Sequence, residues 1–194
     1  MSVHLLETVQ KNLHYPALKK IDPNTQEVKA DAEYGSEHSF GQAAIPAVLI
    51  GLYTYSGKDT GAERILRGVT SSNWVNELFG NNASEVVQKV ASYSSRSYDE
   101  TLSKMNEISN EAVSVIRTEV KPSGTIMNVK NVLSHQVKDI LKYLPTALHM
   151  GQVVHEESLD DNTNKMEGPI SSLMHKISSA FSNPSNESEV NTKQ

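Results

Sequence analysis

The sequence predicts an all-α protein, a multi-helix bundle of about six to eight helices around one central apolar helix. Three observations lead there. Apolar residues recur at i, i+3, i+4 and i+7 in one segment after another, capping signatures precede several of these segments, and no stretch reads as a confident strand. The central element is Ser39 to Gly57, SFGQAAIPAVLIGLYTYSG, the only long segment that is apolar nearly all round. The chain as a whole is polar, with a mean hydropathy of −0.44.

Taken as a helix, the central stretch puts Ile45, Val48, Leu49 and Leu52 on one face and a row of small residues, Ala43, Ala47 and Gly51, on another. Both faces should then meet protein. Its start is contested by two signals. Ser39 and Gln42 form a capping box that opens a helix at Phe40, but Pro46 would then lie deep enough to clash with the carbonyl of Gln42. Because proline is preorganised for a first turn, the helix is expected to begin near Pro46 after a short turn.

The other elements follow in order. Residues 2–14 form a short amphipathic helix with Ser2 as N-cap and Leu5, Leu6, Val9 and Leu13 on one side, ended by Pro16. Residues 15–37 are polar and broken by Pro16 and Pro23, a surface arm that Ala17, Leu18 and Ile21 pin down. Thr60 and Glu63 make a second capping box, opening a helix that carries Ala62, Ile65, Leu66 and Val69. A short helix bears Trp74, Val75, Leu78 and Phe79, and Gly80 suits its end. Asn82 caps a helix with Val86, Val87, Val90 and Ala91 that stops in the serine-rich residues 93–97. Ser97 and Glu100 then open a long helix to about Val120. Lys121-Pro122-Ser123-Gly124 breaks the chain, and a second long helix runs from Ile126 to Pro145, packed antiparallel to the first. Pro169 opens a final amphipathic helix with Ile170, Leu173, Met174, Ile177 and Phe181 on its apolar face. The expected organisation is an N-terminal helix and surface arm over 1–38, a helical domain over 39–181 and a disordered polar tail over 182–194.

Composition narrows the functional classes. The 194 residues contain no cysteine, which removes disulfides, thiolate chemistry and cysteine-ligated metal sites, and suits a reducing, cytoplasmic setting. The N-terminus has no basic region followed by an apolar core of signal-peptide length, and the run from Ala43 to Tyr55 is short of the roughly 20 residues of a transmembrane helix. Net charge is −5 with basic residues scattered along the chain, so a nucleic-acid partner is not expected.

Candidate motifs each have a plainer explanation. Gly57-Lys58-Asp59-Thr60 has the residue types of a phosphate-binding loop, but the preceding glycine, Gly51, is one residue too far back and an aspartate separates lysine from threonine. Asp160, Asn162 and Asn164 alternate as calcium ligands do, but the required glycine and glutamate are replaced by Lys165 and Ser171. His149, His155, Glu156, Asp160 and Asp161 cluster without a ligand spacing, and neither His-Glu-x-x-His nor Glu-x-x-His occurs. No Gly-x-Ser-x-Gly elbow is present. No catalytic residue, cofactor or metal is therefore expected. The reading is a non-enzymatic helical interaction or self-assembly module, with a protein partner or a second copy docking on Ile170, Leu173, Met174, Ile177 and Phe181. The alternatives are a bundle binding an apolar small molecule or lipid beside the central helix, with Tyr53 and Tyr55 as polar ends, and a metal-assisted hydrolase using residues 149–161.

The stretch Gly41-Gln42-Ala43-Ala44-Ile45-Pro46-Ala47-Val48-Leu49-Ile50-Gly51-Leu52 resembles the YidB-like family of uncharacterised bacterial proteins, which carry a Gly-x-x-x-apolar-Pro-x-Leu-x-Gly-Leu type of stretch. The similarity extends loosely over about 40–120, with Gly80 preceding paired helices, and lacks the family's glycine-rich spacers. The resemblance implies an all-helical fold in a family with no established activity.

Overall fold

Among the described residues eight α-helical stretches follow one another: α1 Leu5–Asn12, α2 Ser36–Ser56, α3 Asp59–Arg67, α4 Trp74–Phe79, α5 Ala83–Ser94, α6 Tyr98–Val120, α7 Ile126–Leu141 and the single turn α8 Met150–Val153. A computed structural model describes residues 4–21, 35–120 and 123–153, and among these no strand occurs. The protein is an all-α multi-helix bundle. A helix that is apolar on every side must be enclosed on every side. Helix α2 is the enclosed one, with α1, α3, α4, α5, α6 and α7 all packed on it.

The expected start of this helix near Pro46 is not what the chain does. Helix α2 begins at Ser36 with Gly35 as N-cap, and Pro46 lies in its interior. Proline costs about 3 kcal/mol or more in a helix by removing one intrahelical bond and crowding a carbonyl. Against that, every residue from Phe40 to Leu52 is buried, and Ile45, Val48, Leu49, Ile50 and Leu52 each contribute about 1.5–3 kcal/mol on leaving water. Packing outweighs the local penalty. The small-residue row meets α4: a Cβ added to Gly51 would stand 2.6 Å from Phe79 Cζ, a contact no real side chain makes.

Two other boundaries move for local reasons. Helix α3 begins at Asp59 with Lys58 as N-cap, so Thr60 lies inside it and does not cap it. It ends at Arg67 because Gly68 turns left-handed at φ 64°, which leaves Val69 40% exposed beyond the apolar stripe. Helix α7 opens on an unforeseen capping box, in which the Thr125 hydroxyl accepts from Asn128 N at 3.4 Å and Asn128 Oδ1 accepts from Thr125 N at 2.9 Å. At α6 only half of the expected box forms, with Glu100 N donating to Ser97 Oγ at 3.3 Å.

The N-terminal segment belongs to the same core. Leu5, Leu6 and Val9 of α1 and Tyr15 are buried with the α2 residues, and α2 itself starts inside the span expected to be surface arm. Trp74 is fully buried, as its place on α4 predicts. Helices α6 and α7 pack on each other and on α2.

Candidate functional site

The apolar residues expected to dock a partner, Ile170, Leu173, Met174, Ile177 and Phe181, lie outside the described residues, as do His155, Glu156, Asp160 and Asp161. His149 is exposed and left-handed, immediately before α8. Among the described residues no three histidine or carboxylate side chains gather as metal ligands would. The Gly57 to Thr60 turn is occupied by another helix: Lys130 of α7, itself buried, reaches Gly57 O at 3.1 Å and Asp59 Oδ1 at 2.6 Å. This lysine joins the end of α2 and the start of α3 to α7.

Buried and half-buried polar side chains elsewhere also tie helices. Asn106 Oδ1 on α6 accepts from Val75 N at 3.0 Å, one of the amides that the first turn of α4 leaves without an intrahelical partner. One turn on, Asn110 Oδ1 accepts from Ser71 N at 2.8 Å and from Trp74 Nε1 at 3.0 Å, while its Nδ2 donates to Ser71 O at 2.9 Å. Arg64 of α3 forms a fork with Glu77 of α4, through Nε to Oε2 and through Nη2 to Oε1 at 2.7 Å, and its guanidinium stands 5.2 Å from the centre of the Trp74 ring. The hydrogen bond to Glu77 pushes the Arg64 pKa up. Tyr55 meets Trp74 edge-on at 6.2 Å, and its hydroxyl pKa is raised, first by burial and then by the Glu77 carboxylate. Tyr55 is thus part of a packed aromatic seam.

Residues 15–21 form a strap across one end of α2. Gln42, 1% exposed, holds it: Oε1 accepts from Lys19 N at 2.8 Å, and Nε2 donates to Lys19 O at 3.0 Å and to Tyr143 O at 2.7 Å. Ile21 N adds a bond to Lys142 O at 2.7 Å. Tyr15 packs on Phe40 at 5.8 Å between ring centres, and a Cβ on Gly41 would press on the Tyr15 side chain at 3.2 Å, so glycine gives the strap its seat. Burial, then the Glu37 and Glu107 carboxylates, push the Tyr15 hydroxyl up to about 12. Arg96 lies 4.9 Å over the Phe40 ring, bonded to Glu37 at 2.7 Å and to Glu100.

Among the described residues, two surface grooves that border α7 are both lined by Gln136. The first, about 220 Å³, lies between α6 and α7 and presents Glu119, Asn131 and His135 beside Val120 and Val132. The second, about 140 Å³, lies between α1, the strap and α7 and presents His4, Glu7, Lys20, Asp139 and Lys142. There Lys142 Nζ is 2.5 Å from Asp139 Oδ1, and that hydrogen bond holds the Asp139 carboxyl below its usual pKa. The residues of the second groove come from both ends of the described chain, which is why sequence spacing did not reveal it. Both grooves are smaller than the roughly 300–1,000 Å³ of small-molecule sites. Their amides and charges match the donors and acceptors of a protein surface. Comparison with protein-family models, curated proteins and solved structures gives no match at all.

Proposed function

We propose that the protein works by binding, as a non-enzymatic helical interaction or self-assembly module. The observation that carries this reading is the pair of grooves that share Gln136 of α7, one mostly polar and one mostly apolar with charged groups at its edge, each sized for a few side chains of a protein partner. It is supported by the use of the buried polar side chains Gln42, Asn106 and Lys130, and of the half-buried Asn110, as ties between segments. The resemblance of residues 41–52 to the YidB-like family accords with a helical fold and adds no activity. In this proposal Ile170, Leu173, Met174, Ile177 and Phe181, which the sequence pattern expects on one side of a helix, supply a second contact.

Sedimentation velocity of the full chain over a wide concentration range, with crosslinking in lysate, tests the reading. Either concentration-dependent association or a crosslinked partner mapping to α7 is expected, and His135→Glu with Asn131→Arg should weaken it. A strict monomer with no partner crosslinked at α7 would count against it.

A further inference from the structure

We infer that the smaller groove, between α1, the strap and α7, is a dock for this chain's own acidic stretch Glu156 to Asp161, with Leu159 seated in it. This rests on the reading of the grooves as surfaces for protein side chains, and it gives one of them an occupant. Leu6, Ile140 and Tyr143 give the groove an apolar lining, and its edge carries Lys20 of the strap and Lys142. Both lysines are exposed. The two carboxylates at the same edge each already face a lysine, Asp139 at 2.5 Å from Lys142 and Glu7 at 3.4 Å from Lys11. Lys11, Lys20 and Lys142 thus stand against Glu7 and Asp139, with His4 beside them.

Such a groove selects its occupant by two properties. At about 140 Å³ it takes apolar side chains and is too small for a drug-sized molecule. The lysines at its edge favour carboxylates flanking the seated side chain. The sequence holds one stretch of this description, Glu156-Glu157-Ser158-Leu159-Asp160-Asp161, in which acids flank a leucine and no basic residue intervenes. Residues 22–34 are acidic too and begin beside the strap, but Lys29 lies among their acids and both their ends are fixed, at Ile21 and at Gly35.

The path of the chain brings the two together. From Tyr143, on the groove wall, the chain makes a 3₁₀ turn over Thr146–Leu148 and the helical turn α8 before the described residues end at Val153. Stretched between those turns this path spans about 23 Å, and the left-handed turn at His149 shortens it. Extended chain from Val153 to Leu159 covers about 20 Å, enough for the leucine to return to the groove. A docked stretch covers this side of α7 against other proteins until a partner with a better acidic and apolar sequence displaces it.

Carbodiimide crosslinking of the full chain, which joins a lysine only to a carboxylate already in contact, tests this at a concentration where sedimentation shows monomer. Peptide mapping should find Lys20 or Lys142 joined to Glu156, Glu157, Asp160 or Asp161. Leu159→Ser should lower that yield about threefold or more, while the crosslink between Lys11 and Glu7 keeps its yield. An equal mixture of isotope-labelled and unlabelled chain should give pairs of one isotope only, and mixed pairs would overturn the inference in favour of a second copy. Lys20 and Lys142 joined to residues 22–34 instead, no crosslink to residues 156–161, or a yield unmoved by Leu159→Ser would overturn it as well. The readout needs no partner: a monomer that captures nothing from lysate rejects the proposed function alone, and a partner at α7 without these crosslinks rejects the dock alone.

Discussion

Helix α2, buried from Phe40 to Leu52, and the strap that crosses it, buried only at Tyr15, are held by different physics. The helix from Phe40 to Leu52 is enclosed by apolar contact on all sides, so its stability is a sum over many side chains and barely depends on any one polar group. The strap has one well-buried aromatic, Tyr15, and otherwise leans on polar ties that include those to Gln10, Gln42 and the Lys142 carbonyl. Burial by packing resists changes in solution conditions, whereas burial by a few hydrogen bonds is local and conditional.

Substitutions can break or sharpen this contrast. The largest effect is expected for Gly51→Leu, which drives a branched side chain into Phe79 and Leu78 on α4. Thermal or urea unfolding should show a loss of about 3 kcal/mol or more, and an unchanged midpoint would mean that α2 and α4 are not in close contact. Leu49→Ala, in the same helix but removing volume, should cost about 2–5 kcal/mol. Asn110→Ala, measured the same way, should cost about 1–3 kcal/mol, because Ser71 N, Ser71 O and Trp74 Nε1 lose their shared partner. Gln42→Leu keeps most of the volume and deletes the strap's ties. It should lower exchange protection at Lys19 N while shifting global stability by only about 1 kcal/mol, and a matching loss across α2 would erase the distinction between the two regions. The smallest effect belongs to Glu63→Ala, which removes an exposed pair with Arg67 and should stay within about 0.5 kcal/mol in urea.

The same contrast explains how much could be read from the sequence. Apolar periodicity marks the helices that bury one face, and the core residues of α4, α5 and α7 emerge from it almost unchanged: Trp74, Val87, Leu133 and Val137 are all fully buried. It reads only apolar letters. Ser109 sits fully buried on α6, its hydroxyl turned to Met105 O at 2.8 Å, and Asn106 and Asn110 gain their partners only from α4, at Val75 N and Trp74 Nε1. The Pro46 misreading has a related cause, since a local rule about helix starts was set against packing contributed by six other helices. Groove residues were the least legible. His4 and Tyr143, or Gln42 and Tyr143, become neighbours only after the bundle closes.

The enclosure of α2 also bears on how the chain acquires its structure. One of the walls of this helix is α7, which is synthesised only after α3, α4, α5 and α6 have followed α2. During synthesis its apolar surface therefore waits for a distant partner, as sequence-remote contacts always do. A nascent chain halted before Ile126 should be a good client for a chaperone that recognises apolar helices, and one released after Leu141 a poor one. Pro46 then takes on a second meaning, since a proline that weakens α2 on its own also delays the moment at which that sticky helix is fully formed.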